Sequence, residues 1–220
     1  GYKIKKQIEL HKNITNFNSI QNKKILIFSP HPDDDVIGMG AMLHKLSRQN
    51  NVIHVVYQTD GSGGGDPDVR KNEARNALNI LNPNIIMSVE SLPFYKTKTR
   101  TLTELDIEKT IKEIKLFEPN YIFSCIDWND PKDTHWKCFH IVKEAVNKTH
   151  NNIKLYGYYS AWSKIDWTYN PNNFIYEFDE EVMKLKIDSV KAHVSQLKPV
   201  NGDDSTPFWM RVKNLNENHK

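Results

Sequence analysis

The sequence has little cysteine, little arginine and no long apolar segment, and each shortage excludes a class of protein. Only Cys125 and Cys138 are present, which are too few for a disulfide framework. Mean hydropathy is −0.64, and no segment approaches the roughly 18 consecutive apolar residues that a membrane-spanning helix needs. We therefore expect neither a disulfide-stapled domain nor a transmembrane segment within these 220 residues.

The positive charge is carried by 25 lysines and only 5 arginines, and the basic residues exceed the 27 acidic residues by a formal net charge of +3. Proteins that bind nucleic acids usually cluster positive charge and use arginine for bidentate contacts, whereas these lysines are scattered among acids. We therefore expect no nucleic-acid partner. The chain begins with Gly1, so a signal or anchor segment could precede it. The sequence leaves cytoplasmic, exported and anchored locations open.

Residues 1–22 are polar and rich in asparagine, and we interpret them as an N-terminal arm ahead of one domain over residues 23–220. Within that domain, short apolar and β-branched runs predict strands, and apolar residues three or four positions apart predict helices. The predicted strands are 24–29, 52–57, 85–89, 121–126 and 153–159, and the predicted helices begin after Asp33 and cover 68–81, 104–117, 135–148 and 180–197. Strands that alternate with helices predict a single α/β domain with a Rossmann-like, mainly parallel sheet and helices on both faces.

The first predicted strand ends in residues 29–35, SPHPDDD. In a parallel sheet, ligands bind beyond the carboxyl ends of the strands. An imidazole and a carboxylate at such a place suit a cation such as zinc, so we predict that His31 and Asp34 are metal ligands. Asp33 would stay uncoordinated, as a general base must. The alternative is that the aspartates only cap the helix that follows.

Residues 29–35 resemble the (A/S)HPDDE signature of the PIG-L/LmbE-like metal-dependent N-acetylglucosamine deacetylases, with Asp35 where that family usually has glutamate. The order that follows is also similar to the family, with Thr59-Asp60-Gly61 after the second strand and then Arg70-x-x-Glu73-Ala74. The resemblance covers about residues 24–197, and it implies a metal-dependent hydrolase on an α/β fold.

The resemblance also implies the third protein ligand that a catalytic zinc site needs beside water. Residues 127–138, DWNDPKDTHWKC, resemble a branch of the family with DPHGTHxxC, and this register makes His135 the ligand. Lys132 stands where the family commonly has a histidine that stabilises the oxyanion, and it could supply a positive charge there instead. Cys138 is the rival ligand, whereas His140 lies about 140° around the helix from His135.

Three further residues have two interpretations each. Arg70 is predicted to bind a substrate hydroxyl or phosphate, and the alternative is a surface ion pair with Glu73 one helical turn away. Asp60, which precedes a glycine-rich loop, either supports the site or forms a turn. His193 lies in Ala192–Gln196, which resembles a late AHxSQ segment of the family, and the alternative is a helix-end histidine bonded to the backbone.

The function that the resemblance implies is removal of the acetyl group from an N-acetylglucosamine-type amino sugar or its conjugate. The cofactor would be Zn²⁺ or another divalent transition metal, held by His31, Asp34 and His135, with Asp33 as general base. The partner would be a small amino sugar, and a homo-oligomer is compatible with the sequence. Two alternatives stay open. One is an amidase acting on a different sugar conjugate. The other is a non-catalytic sugar-binding protein with a relic metal site, which the exchange at Lys132 keeps open and the presence of Asp33 argues against.

Overall fold

The computed structural model describes residues 17–127, 130, 132–149, 152–161, 176–198 and 207–217. Residues 1–16 of the predicted arm lie outside these ranges, as do Trp128, Asn129 and Pro131 of the segment before His135. The division into an arm and one domain therefore stays a prediction. None of the described helices is both long and apolar enough to cross a lipid bilayer.

Five parallel strands form one sheet in the order β3-β2-β1-β4-β5. The strands are β1 (Lys24–Ser29), β2 (Val52–Tyr57), β3 (Ile86–Val89), β4 (Tyr121–Cys125) and β5 (Lys154–Tyr158). All five were predicted from their apolar runs, and their shared direction confirms the α/β class.

Seven helices cover the two faces of the sheet within the described ranges. They are α1 (Asp34–Ser47), α2 (Pro67–Leu81), α3 (Pro93–Lys96), α4 (Glu104–Phe117), α5 (Thr134–Thr149), α6 (Glu180–Lys191) and α7 (Phe208–Glu217), with 3-10 turns at Phe17–Ser19 and Val194–Gln196. Helices α1, α2 and α6 pack on one face of the sheet, and α4 and α5 pack on the other.

The central strand β1 shows why both faces are covered. Ile25 and Ile27 point into the apolar core under α1 and α2, whereas Leu26 and Phe28 point into the core under α4 and α5. All four side chains are fully buried. Because successive side chains of a strand face opposite sides, a strand that is apolar throughout must lie inside a two-sided sheet.

Local chemistry sets where the main helices begin. The Asp66 carboxylate accepts hydrogen bonds from the amides of Asp68 and Val69 at the start of α2, and Pro67 occupies the first helical position. Thr103 and Asp106 form a reciprocal capping box at the start of α4. The two helices begin within one residue of the predicted starts at 68 and 104.

The strand order places the site. The chain runs from β1 outward to β2 and β3, and then returns to the other side of β1 for β4 and β5. The reversal leaves a crevice between the carboxyl ends of β1 and β4, the position at which open α/β sheets bind ligands. Residues 30–35 follow β1 and residues 126–135 follow β4, so the two predicted ligand segments meet at this crevice.

The predicted helix over residues 180–197 is wrong in its last turns. Helix α6 ends at Lys191, and a separate 3-10 turn follows at Val194–Gln196. His193 between them has φ −82° and ψ 61°, which is not a helical conformation. The short helix α3 and helix α7 were not predicted.

Candidate active site

His31 and Asp34 are held together by the tight turn that follows β1. The Asp34 carboxylate oxygen Oδ2 accepts from the His31 backbone amide at 3.0 Å and lies 3.1 Å from His31 Nδ1. The Ser29 hydroxyl donates to the His31 carbonyl at 2.8 Å and accepts from the Asp35 amide at 3.1 Å. The turn is therefore fixed at both ends before helix α1 begins.

His135 reaches the same point from the first turn of α5, 104 residues away in sequence. Its Nε2 lies 3.1 Å from Asp34 Oδ2 and 3.2 Å from His31 Nδ1. Three donor atoms thus form a triangle whose edges measure 3.1, 3.1 and 3.2 Å. The structure brings the three predicted ligands together as one group that could hold a metal ion.

The donor set fits a divalent transition metal. A tetrahedral ion with ligand bonds of about 2.0–2.1 Å keeps its ligands about 3.3 Å apart, which is close to the edges of this triangle. Two imidazoles and one carboxylate are also a usual three-ligand set for catalytic zinc, since they leave the fourth position open. The side chain of His31 is 21 % exposed, whereas those of Asp34 and His135 are 5 % and 1 % exposed, so the group opens to solvent on the His31 side.

Charge within the group is mutually stabilising. Burial by itself would raise the pKa of Asp34, but the neighbouring imidazoles of His135 and His31 outweigh burial and hold that pKa well below its usual value. Burial would lower the pKa of His135, yet the carboxylates of Asp34 and Asp127 raise it well above its usual value. A cation is therefore electrostatically favoured at this position.

Residues behind the triangle orient its members. Asp127 Oδ2 lies 3.4 Å from His135 Nδ1 on the side of the ring opposite Asp34, and the Ser160 hydroxyl donates to Asp34 Oδ1 at 2.6 Å. Asp130 accepts from the backbone amide of His135 at 3.0 Å. A carboxylate behind a ligating histidine fixes its ring and raises its basicity. None of these three residues was predicted, although Asp127 and Ser160 lie two positions after the ends of strands β4 and β5.

The side chain of Asp33 does not cap helix α1. Asp33 occupies the N-cap position, but its carboxylate makes no capping hydrogen bond. Its Oδ2 instead accepts from Arg70 Nη2 at 2.8 Å, in an ion pair whose side chains are 15 % and 4 % exposed. Asp33 lies outside the triangle of ligand atoms. Its role as an uncoordinated base stays a prediction.

Arg70 is buried rather than exposed on the surface of α2. Its Nη1 donates to the Gly61 carbonyl at 2.9 Å, and its Nη2 donates to Asp33. The alternative of an ion pair with Glu73 is wrong, because the Glu73 carboxylate accepts from the amide and the hydroxyl of Ser195. The predicted contact of Arg70 with substrate stays a prediction.

The glycine-rich loop after β2 is tied to the site at three points. Gly61 bonds Arg70, the Gly63 amide donates to the Tyr95 hydroxyl at 3.1 Å, and the Gly64 carbonyl accepts from Gln196 at 3.2 Å. Gly61 has φ 69°, and a Cβ there would lie 2.6 Å from Arg70 Nη1. Glycine at this position therefore allows Arg70 to reach Asp33.

Asp60 forms a turn at the start of the same loop. Its carboxylate accepts from the Ser62 amide at 3.0 Å, which is the turn-forming interpretation of this residue. The Ser62 amide and hydroxyl outweigh burial and lower the pKa of Asp60. Asp60 therefore shapes the loop rather than joining the ligand triangle.

Asp35, which stands where the family usually has glutamate, is a buried acid. Asp35 Oδ2 accepts from the Tyr57 hydroxyl at 3.0 Å, while Oδ1 has no hydrogen-bond partner among the described residues. Burial raises the pKa of Asp35 to about 7. Asp35 contacts the turn through its amide, which donates to the Ser29 hydroxyl, and it is not part of the ligand triangle.

Cys138, the rival ligand, does not take part in metal binding in the described structure. The described residues form two groups that could hold a metal ion, the triangle and a second one of Cys125, Asp127 and His135, and Cys138 belongs to neither. It packs in an apolar cluster with Leu92 and Ile141. His140 stacks against Trp136 with ring centroids 5.2 Å apart. The backbone amide of Lys132 donates to the Asp130 carboxylate at 3.0 Å. The predicted role of Lys132 at the oxyanion stays a prediction.

The chain shares sequence with a known protein family and with known proteins. The family model described as GlcNAc-PI de-N-acetylase (PIG-L) matches residues 26–146. Diacetylchitobiose deacetylase of Thermococcus kodakarensis is 29 % identical over an alignment of 210 positions, gaps included, and the match covers 82 % of this chain and 72 % of that protein. A glucosamine-6-phosphate deaminase-like protein of Bacteroides thetaiotaomicron is 28 % identical over an alignment of 183 positions, gaps included, and the match covers 57 % of this chain. The chain spans only 28 % of the length of that Bacteroides relative.

Solved structures share the fold at lower identity. N,N′-diacetylchitobiose deacetylase of Pyrococcus horikoshii has a TM-score of 0.65 and 22 % identity, over 80 % of this chain and 71 % of that one. The 4-carboxy-2-hydroxymuconate hydratase GalB of Pseudomonas putida has a TM-score of 0.64 and 18 % identity, over 88 % and 84 %. Since a deacetylase and a hydratase both resemble the chain, these likenesses show the fold and not the reaction. The sequence match over residues 26–146 covers more than half of the chain, and the chain belongs to the GlcNAc-PI de-N-acetylase (PIG-L) family.

Proposed function

We propose that this protein is a metal-dependent hydrolase that removes the acetyl group from an N-acetylglucosamine-type amino sugar or its conjugate. The observation that carries the proposal is the largely buried triangle of His31, Asp34 and His135, with Asp33, which precedes Asp34 in the sequence, outside it. A binding site alone would need no uncoordinated carboxylate next to its ligands, whereas hydrolysis needs a group that can accept a proton.

The three ligand residues would hold Zn²⁺ or another divalent transition metal through two imidazole nitrogens and one carboxylate oxygen. When bound there, such an ion supplies a Lewis acid for the acetyl carbonyl and lowers the pKa of a coordinated water toward about 7. Asp127 and Ser160 keep His135 and Asp34 in the orientation that the triangle requires.

Asp33 takes the proton from the attacking water and later delivers it to the amine nitrogen as the C–N bond breaks. Arg70 donates to one oxygen of the Asp33 carboxylate and so fixes the orientation of that carboxylate. Lys132, in the segment between β4 and His135, is proposed to donate to the acetyl oxygen as negative charge develops on it.

The proposal predicts an acetate and an amine as products in equal amounts. The test is acetate release from N-acetylglucosamine, its β-1,4-linked dimer and a glycosidic conjugate, with protein stripped by chelator and then reloaded with zinc. Release by the reloaded protein and not by the stripped protein supports the proposal. No release from any compound by protein with verified bound zinc would favour an amidase of different substrate or a sugar-binding protein.

A further inference from the structure

His193 is a buried histidine whose ring has no partner within the described part of the chain. It is 2 % exposed, and neither Nδ1 nor Nε2 makes a hydrogen bond there. Within the described residues, the ring therefore makes no bond to the backbone, in contrast to the alternative interpretation of a helix-end histidine. Burial lowers the pKa of His193, so the ring is neutral and carries one N–H donor and one acceptor.

The ring borders the site of the proposed base. His193, Asp33 and Gln196 line one narrow cleft, and its other walls include the apolar side chains of Ile37 and Val190. Asp33 and Arg70 both lie close enough to His193 to act on it electrostatically. Among the described residues, the polar side chains that line this cleft beside His193 are those of Asp33 and Gln196.

The backbone around His193 is fixed on both sides. The His193 amide donates to the Val190 carbonyl at 3.1 Å, and its carbonyl accepts from the Gln196 amide at 2.9 Å. Beyond it, Ser195 bonds Glu73 of α2, and the Gln196 side chain bonds Gly64 of the glycine-rich loop. The segment is thus attached to the same two elements that position Arg70.

A buried imidazole without a hydrogen-bond partner is unfavourable beside apolar side chains. Burying a polar group without a hydrogen bond destabilises the fold, and an apolar ring of similar size would avoid that penalty. Arg70 already occupies Oδ2 of Asp33, which leaves Oδ1 as the carboxylate oxygen to accept from a second donor. Catalytic hydrogen bonds are often long without substrate and shorten only in the complex.

We propose that His193 is a positioning residue for Asp33, whose Oδ1 accepts from the ring N–H of His193, directly or through one water molecule, once substrate is bound. Arg70 and His193 then hold the two oxygens of the base from two sides. The inference rests on the proposed function, because it assigns His193 a task only if Asp33 is the base.

The kinetic constants of His193 variants test whether His193 positions Asp33. His193→Phe keeps ring size but removes both nitrogens, and we expect kcat to fall about 10- to 100-fold with KM changed less than about threefold. His193→Asn and His193→Gln each restore an amide N–H donor. We expect one of these two variants to recover at least about a third of the loss in log kcat. The matched control is His44→Phe, at the far end of α1 from Asp33, which should keep wild-type kcat. Wild-type kcat in His193→Phe, or no recovery with either amide, would overturn the proposal.

A second readout does not depend on activity. In ¹⁵N-histidine-labelled, zinc-loaded protein with a bound amide-containing sugar, the His193 ring N–H resonance should shift on Asp33→Asn and not on Asp60→Asn. An unmoved resonance would overturn the proposal even if the enzyme is a deacetylase. Conversely, loss of turnover in Asp33→Asn with full turnover in His193→Phe would leave the proposed function standing and remove only this inference.

Discussion

The guanidinium of Arg70 donates a 2.8 Å hydrogen bond to the carboxylate of Asp33, and the two residues lie 37 positions apart in the sequence. The pair joins the first turn of α2 to the first residue after the Pro30–Pro32 turn, at the crevice between β1 and β4. It explains why Asp33 points away from the helix that it precedes. The orientation of the proposed base therefore depends on a residue from another element.

Replacement of Arg70 should impair both stability and turnover. In Arg70→Ala the Asp33 carboxylate loses its ion-pair partner at a largely buried position, and such a loss costs about 3 kcal/mol of unfolding free energy. We expect kcat to fall at least tenfold, because the base is no longer held. Urea unfolding and acetate release measure the two effects.

Arg75→Ala is the control for that measurement. Arg75 lies on the same helix and donates to the Ile85 carbonyl at 2.8 Å, away from the ligand triangle. It should lose some stability and keep kcat. An Arg70→Ala protein with the kcat of Arg75→Ala would show that the ion pair has no role in turnover.

Metal binding should depend on His135 and not on Cys138. His135→Ala removes one corner of the triangle, and we expect zinc affinity to fall at least 100-fold. Cys138→Ala removes a sulfur that packs against apolar side chains, and it should still bind one zinc per chain. Equilibrium dialysis with metal analysis distinguishes the two. Equal zinc affinity in both variants would contradict the assignment of His135.

The exchange at Lys132 leads to a prediction about the oxyanion. Loss of one oxyanion donor commonly lowers kcat by about 10²–10³. We expect Lys132→Met to lose at least tenfold in kcat with little change in KM, and Lys132→His to retain more activity than Lys132→Met. Unchanged kcat in Lys132→Met would leave oxyanion stabilisation to the metal ion alone.

A buried lysine outside the site should make stability depend on pH. Lys186 of α6 is 3 % exposed and donates to Asn216 of α7 at 2.9 Å, and burial lowers its pKa to about 8. Its unfolded-state pKa is higher, so the unfolded state binds more protons between pH 8 and about 10.4, and unfolding free energy rises with pH there.

Lys186→Met removes the buried charge at nearly constant volume. We expect it to raise unfolding free energy by about 1–2 kcal/mol at pH 7, since one pKa unit corresponds to about 1.4 kcal/mol and the lost hydrogen bond offsets part of the gain. The gain should shrink as the pH approaches 10. Denaturant unfolding at pH 7 and pH 9.5 measures it. A gain that is equal at both values would show that Lys186 keeps an ordinary pKa.

The sequence predicted most of what depends on local pattern. Apolar β-branched runs located all five strands, and apolar residues three or four positions apart located the helices over 67–81 and 104–117, because these signals act within a few residues. The link from His31 to His135 spans 104 positions and was found through a family resemblance, since spacing alone cannot pair residues so far apart.

The contacts that orient the site could not be predicted in this way. Ser160 reaches Asp34 from the end of β5, and Arg70 reaches Asp33 past Gly61, and each contact exists only once strands and loops have assembled. His193 lies in the segment that resembles the AHxSQ segment of the family. Its buried orientation depends on the end of α6 at Lys191, which no proline or glycine marks in the sequence.

The most direct test of the account compares the wild-type protein with Asp33→Asn after both have been loaded with zinc. The substitution keeps the shape of the side chain but removes its ability to accept a proton, while the ligands His31, Asp34 and His135 are unchanged. We expect one bound zinc per chain in both proteins and a rate of acetate release that is lower by a factor of about 10³ or more in the variant. Acetate release at the wild-type rate by zinc-loaded Asp33→Asn would contradict the assignment of Asp33 as the base.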